Sequence, residues 1–488
     1  MRVAPVGLVG GASVCWDSAV GELPRGMRVV LDRRARRLDG GAALLGGAPP
    51  RLVHLVPKAR ALLGAGNELT VADPLSRALA RTLLDAGLAH PAPGIPGGPT
   101  RSEVTVVVPV KDRPLDRLLA TLPPEVDLVV VDDGGAQPVT LARGRVIRHE
   151  TARGPSASRN AGLAAATTPL VMFLDSDVVP QGDWLDPLLE HLADPSVALV
   201  APRIVALHPV TTALGRYEAV RSSLDLGPDP ALIVPRSRVA YVPSAAMLVR
   251  ASAVGTGFDE AMHVAEDVDL VLRLHAAGHR LRYEPRARVA HDHRTAPKAW
   301  AARKAFYGTG AAPLARRHVG SVPPLVLSPW TAAACAALLA QRRWSVPVAA
   351  TVTAAAALRL SRKLTRLAHP RRSAVELAGL GLSGAVVQVG NALLRHHWPI
   401  AVGAALGSRR ARRALAAAAL VEGLADWWLH RDRDPDVHLD PLTHLVAHRI
   451  DDLAYGAGLW WGALRACDPA ALLPVGPGTP SKGVAPDR

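Results

Sequence analysis

The chain has 488 residues, 49% hydrophobic and 20% charged, which excludes a disordered polymer and calls for two or three domains. Its net charge is +15 and its isoelectric point is near 10.6, mostly from arginine dispersed along the chain. Such a surface suits phosphate-bearing ligands or anionic lipid, and no aromatic and basic platform for specific nucleic-acid binding accompanies it.

The first sixteen residues, MRVAPVGLVGGASVCW, lack the basic start and apolar core of a signal peptide. Cys15, Cys335 and Cys467 lie too far apart for a metal spacing. Both features predict a reducing cytoplasm. Between residues 25 and 92, the strand-like runs RVVLDR and PRLVHLVP precede two helical stretches. This order predicts a small winged-helix-like unit over 1–92, similar to peptide-recognition domains. The string HPAPGIPGGPT contains seven Pro or Gly and predicts a linker at 93–100.

Residues 101–315 alternate apolar runs with amphipathic stretches. VTVVVPV (104–110), VDLVVVDD (126–133), RVIRH (145–149), LVMFLDSD (170–177) and VALVAPRIVAL (197–207) read as strands. RPLDRLLATL, SASRNAGLAAA and DWLDPLLEHLA read as helices between them. This order predicts an α/β domain with a mostly parallel sheet and ligand binding at the strands' carboxyl ends. Residues 316–470 are Ala-rich and predict a helical region. The stretches 322–341 and 377–394 are uncharged, although Pro323, Pro324 and Pro329 interrupt the first. Basic clusters at 342–344, 362–366 and 409–413 flank them. The pattern fits association with the cytoplasmic face of a membrane, and equally a bundle packed on the catalytic domain. Residues 471–488 predict a disordered tail.

Polar residues collect at the predicted strand ends. Asp175 and Asp177 follow the apolar run LVMFL, where two carboxylates are costly unless solvated or bound to a cation. Hard oxygen ligands one residue apart suit Mg²⁺ or Mn²⁺ on a diphosphate, while a polar turn explains the pair equally well taken alone. Asp132 and Asp133 end another strand, where a carboxylate can accept from a ribose or a base edge. Pro109 closes the first strand before the charged loop Lys111-Asp112-Arg113. The segment Gly154 to Gly162 opens a helix with small residues, which allows close approach of an anion. Further on, Glu266, Asp267 and Asp269 occupy a helix first turn. The helix dipole accounts for acidic residues there, and Asp267 facing a cleft would serve as a general base. His291 and His293 follow a strand and offer one further metal ligand between them.

Taken together, VVVPVKDRPLDRLL, VVVDDGG, GPSASRNAGLAAATTPLVMFLDSD and FDEAMHVAEDVDLVLRLHAAGHRLRYEPRARVAH resemble glycosyltransferase family 2 over residues 101–295. The resemblance implies a GT-A nucleotide-sugar fold, a divalent metal and an inverting single displacement. It implies that Asp112, Asp133 and Arg159 hold the nucleotide, with Pro109 and Asp132 beside them. Asp175 and Asp177 then take the diphosphate and metal, His291 joins the metal, and Asp267 is the base. Processive members carry Q-x-x-R-W after the base; here Gln341-Arg342-Arg343-Trp344 is one residue short and far downstream, so no polymer channel is expected. The fused N-terminal unit and Ala-rich tail are similar to family members that use UDP-glucose to build β-1,4-linked glucose on a peptide-derived redox cofactor precursor. That implies a UDP-sugar donor and a small peptide-derived acceptor. The alternative is a cell-envelope transferase with a lipid or polysaccharide acceptor.

Overall fold

The computed structural model describes residues 21–479 and 482–483. The readings of residues 1–16 and of Cys15, and those of 480–481 and 484–488 in the tail, lie outside the described residues.

The N-terminal unit holds more strands than the sequence suggests. Its two predicted strands become six short ones in two antiparallel sheets. Arg28–Leu31 is flanked by Glu68–Thr70 and Ala89–Pro91, and Ala43–Gly46 by Arg36–Leu38 and Arg51–His54. Helices Pro57–Leu63 and Pro74–Asp85 complete it. Turn glycines break the runs: Gly46 and Gly47 both sit at positive φ, which a side chain resists. The unit has its own core, including Met27, Val29, Leu44, Leu83 and Leu84. It docks on the next domain through part-buried ion pairs. Arg81 grips Asp194 at 2.8 and 2.9 Å, and Arg280 reaches Asp85 at 2.7 Å.

The central domain is a nine-stranded sheet. Its strands are β1 (Val104–Val110), β2 (Asp127–Asp132), β3 (Arg145–Arg148), β4 (Leu170–Leu174), β5 (Val178–Gln181), β6 (Val197–Ala206), β7 (Ala231–Leu232), β8 (Ala246–Arg250) and β9 (Arg280–His291). The order is β5-β9-β6-β8-β4-β1-β2-β3, with β7 also on β9. Along β1, Val104, Val106, Val108 and Val110 face one apolar layer, and Val107 faces the other with Val129 and Phe173. Two-sided burial explains why these strands read as continuous apolar runs.

The sheet is mixed rather than mostly parallel, which corrects the sequence reading. β1, β2, β3 and β4 pair in parallel, but β8 runs antiparallel to both β4 and β6. Residues 233–245 form no helix, so there is no crossover to restart the chain at the opposite edge. β8 therefore runs back from the carboxyl ends of β1, β2 and β4. Its approach is hydrogen-bonded to the exit of β4: the Asp175 amide donates to the Ala245 carbonyl at 3.0 Å.

Four helices matter for the site or its surroundings: α1 (Pro155–Ala165), α2 (Glu266–Ala276), α3 (Pro297–Thr309) and α4 (Pro441–Ala466). The Ala-rich region is helical, as expected. The uncharged stretch 322–341 is helical only over Pro329–Leu339, because its prolines stop the helix short of the ~20 residues a span needs. The tail is ordered at its start, contrary to expectation. The Val475 amide donates to Leu325 at 2.9 Å, and the Leu327 amide donates to Val475 at 3.1 Å.

Asp194→Ala should leave the part-buried Arg81 with Asp85, 3.8 Å away, as its remaining carboxylate. The expected loss is about 1.5–3 kcal/mol of stability in equilibrium denaturation; a loss below about 0.5 kcal/mol would contradict the docking described.

Candidate active site

The carboxyl ends of β1, β2 and β4, the start of α2 and the end of β9 surround one cavity of about 750 Å³. Parallel pairing places the first three together, and the return of β8 brings Ser244 and Ala245 to the same rim.

At the β2 end the two neighbouring aspartates point to different surroundings. Asp133 lines the cavity and is locked in place. It accepts from the amides of Arg153 and Gly154 and pairs with His149 Nδ1, each at 2.8 Å. Gly154 precedes α1 at φ 93, a conformation glycine allows. Burial would raise the Asp133 carboxyl, but His149 and the two amides hold it below its ordinary range. Asp132 turns inward and does not line the cavity. It accepts from the Gly135 and Val139 amides at 3.0 and 3.2 Å and pairs with Arg148. These contacts shape the loop that follows β2. Asp112 also stands outside the cavity lining, with φ 51 and its carboxylate accepting from the Ala136 amide at 2.6 Å. Pro109 and Lys111 do line it.

Arg159, on α1, is almost wholly buried. Its guanidinium donates to Asp175 at 2.6 Å and to Glu266 at 3.1 Å. Burial opposes its charge, but these two carboxylates raise its pKa. Phe258 lies 5.3 Å beneath the guanidinium carbon. Glu266 was visible only as first-turn charge in the sequence; its partnership with Arg159 spans the fold.

Asp175 and Asp177 both line the cavity. Asp177 approaches His291 Nε2 at 3.5 Å because Val178 and His291 are directly paired across β5 and β9. His291 lines the cavity, whereas His293 lies behind it, 4.9 Å between ring centres, with Glu218 4.0 Å away. Burial, reinforced by His291, pushes His293 down to about 4. The histidine facing Asp177 is therefore His291. Among the described residues, the compact three-ligand groups are His208–Asp434–Asp436 and Glu422–His448–Asp452, both outside this cavity. Asp175, Asp177 and His291 form a more open set, which suits a hard cation that completes its shell with ligand oxygens.

Asp267 faces the same cavity from the start of α2. It accepts from the Ser244 amide at 3.1 Å and the Val268 amide at 2.7 Å. Burial, then the charge on Glu266, pushes its carboxyl up to about 6. The helix begins after Ala265 at φ 64, a left-handed conformation costly for a residue with a side chain.

Residues 106–253 match the family described as "Glycosyl transferase family 2". Across 465 residues the chain is 48% identical to "Pre-mycofactocin glycosyltransferase" of Mycobacterium tuberculosis (strain ATCC 25618 / H37Rv), covering 93% of this chain and 98% of that protein. The chain belongs to glycosyltransferase family 2. Among solved structures, this family 2 transferase is similar to the mannosyltransferase PcManGT from Pyrobaculum calidifontis in complex with GDP-Man and Mn2+. The identity is 20% and the TM-score 0.35, over 61% of this chain and 89% of that one. GalNAc-T7 with UDP, GalNAc and Mn2+ gives 14% identity and a TM-score of 0.33, over 46% of this chain and 52% of that one.

The transferase cavity also has walls that the motifs did not signal: Tyr241, Phe306, Tyr307, Arg395 and Tyr455. Most come from beyond the matched segment, and no local spacing marks them. The incomplete Q-x-x-R-W string lies outside the cavity lining, with Gln341 just past helix Pro329–Leu339.

Since Glu266 raises the Asp267 pKa, Glu266→Gln should lower it. A carbon-detected NMR titration of the free enzyme should place the wild-type midpoint near 6 and the variant below it; an unmoved midpoint would contradict the coupling.

Proposed function

We propose that this glycosyltransferase is inverting and metal-dependent, and that it moves glucose from UDP-glucose to pre-mycofactocin, a peptide-derived redox cofactor precursor, extending a β-1,4-linked chain. The observation that carries the reading is the single cavity shared by Asp133, Arg159, Asp175, Asp177 and Asp267. The acceptor follows from the name of the Mycobacterium tuberculosis relative and from the near end-to-end match to it. In this reading Asp133, Pro109 and Lys111 seat the nucleotide end of the donor. Arg159 steadies Asp175 and lends positive charge near the diphosphate.

Asp177, His291 and Asp175 are the residues that would hold Mg²⁺ or Mn²⁺. A divalent cation there screens the charge that develops on the leaving diphosphate. The acceptor hydroxyl oxygen attacks the anomeric carbon while its proton passes to an Asp267 oxygen. The bond to the nucleotide diphosphate breaks and its electrons leave with UDP. A carboxylate raised towards neutrality is a better proton acceptor than an ordinary one, provided that it is ionised when substrate arrives.

The C-terminal helices support association with the cytoplasmic membrane face. One helical segment, Pro370–His396, is long and apolar enough to cross a membrane, with mean hydropathy 1.5, and its most apolar stretch is 22% buried. Leu406 is 78% exposed, and Val375, Val421 and Leu429 are likewise exposed. Exposed apolar side chains on several helices of this region suit an interaction site, and the arginine clusters that flank them in sequence suit anionic headgroups. The same surface favours a second reading, transfer to a lipid acceptor. Comparing sugar incorporation into the peptide-derived and lipid acceptors separates the two.

Asp267→Asn should bind UDP-glucose as the wild type does but lose about 10²–10⁴-fold in kcat; ordinary turnover would remove Asp267 as the base. Asp177→Ala should abolish metal-dependent donor binding in calorimetry, and full wild-type activity in EDTA would refute the metal role. In flotation assays the full chain should rise with anionic phosphatidylglycerol vesicles and release partly in high salt. Failure to float at low salt would contradict membrane association.

A further inference from the structure

One charge at the junction of the N-terminal unit and the catalytic domain is buried without a partner among the described residues. On β9, Leu281 and Tyr283 face one apolar layer, so Arg280, Arg282 and Glu284 point to the opposite side. Arg280 there meets Asp85 of the N-terminal unit, and Glu284 meets His191 at 2.8 Å. Arg282 stands between them in the strand and is 1% exposed. Its Nε and both terminal nitrogens are buried, and none of the three has a hydrogen-bond partner among the described residues. A guanidinium carries five donors and a charge that stays on, so leaving it bare in the interior is costly.

The carboxylates around it are already engaged. Asp194 accepts from both terminal nitrogens of Arg81 at 2.8 and 2.9 Å, and from the Ser196 amide and hydroxyl at 3.0 and 2.6 Å. Asp85 takes Arg280 in a two-pronged contact, one prong at 2.7 Å, with Arg81 3.8 Å away. Asp32 pairs with His90 at 2.8 Å. Arg282 feels this group only at longer range. Burial pushes its pKa down to about 10; Asp194 and Asp85 oppose the fall, and Arg81 and Arg280 add to it. The guanidinium therefore remains charged at neutral pH. Its charge also crosses the junction: after burial itself, Arg282 helps to hold His90 below its ordinary range.

A water molecule would fill the donors but leave the charge uncompensated beside Arg81 and Arg280. An anion does both. His191, Asp194, Arg280 and Glu284 are themselves buried, which suits a compact ion and not a nucleotide or a peptide. We propose that Arg282 holds a small inorganic anion of the halide class, and that this anion latches the N-terminal unit to the catalytic domain. It offsets the repulsion among the three guanidinium groups, so that the Arg81–Asp194 and Arg280–Asp85 pairs close together. The site lies outside the cavity lining and is independent of the transfer reaction.

Two measurements on the full chain test the latch. A crystal soaked in bromide should show an anomalous peak within hydrogen-bonding reach of the Arg282 guanidinium. Replacing gluconate by chloride at constant ionic strength should raise the wild-type unfolding temperature by about 2–4 °C more than it raises that of Arg282→Met. The same salt response in both proteins would overturn the proposal. Density at the guanidinium without anomalous signal would assign the place to water and overturn it as well. A bromide peak unaccompanied by a difference in salt response would show an adventitious ion only, and the latch would fall. Should Arg282→Met fail to fold, the bromide peak decides, and its absence refutes the site.

Discussion

The buried guanidinium of Arg159 is the constraint on which the site depends. It reaches Asp175 at the exit of β4 and Glu266 at the start of α2. Without it, two carboxylates would face each other across a partly desolvated cavity, and the ends of these elements would repel. With it, the metal-side aspartates and Asp267 share a wall. Glu266 plays two roles in this arrangement. It balances Arg159, and its charge adds to the effect of burial in pushing the Asp267 carboxyl up to about 6.

A second network ties the C-terminal helices to the catalytic domain. Lys304 on α3 bridges Glu218 and Asp451, and Arg395 joins Asp451 and Asp452 on α4. Trp300 adds a hydrogen bond to Glu218 at 2.8 Å. These groups are buried and mutually compensated, so the network specifies how α4 sits rather than supplying much net stability. The consequence is functional: the helical region is part of the cavity wall, and its exposed apolar residues Val375, Leu406, Val421 and Leu429 do not line the cavity.

How much of this could be read beforehand follows from the range of each signal. Strand periodicity and polar strand ends placed Asp133, Asp175 and Asp177 at one rim, since parallel strands deliver their carboxyl ends together. The same logic could not separate Asp132 from Asp133, because successive side chains of an extended chain point to opposite sides and the choice rests on Arg148 and His149. His291 and His293 share one phase of that alternation; the pairing of Val178 with His291 decides between them. The direction of β8 was illegible, as AMLVR is equally good in either sense. Four of the six short N-terminal strands were missed because turn glycines cut the runs below the length at which alternation shows. Phe306 and Tyr455 carry no motif, and only the packing of α3 on α4 brings them together.

The most direct test of convergence at one rim is a crystal structure of the full chain soaked with UDP and Mn²⁺. The account predicts the cation between Asp177 and His291, the diphosphate beside Arg159, and the Asp267 carboxylate facing the same space from the acceptor side. A nucleotide seated elsewhere, or Asp267 screened from the diphosphate by intervening protein, would contradict it.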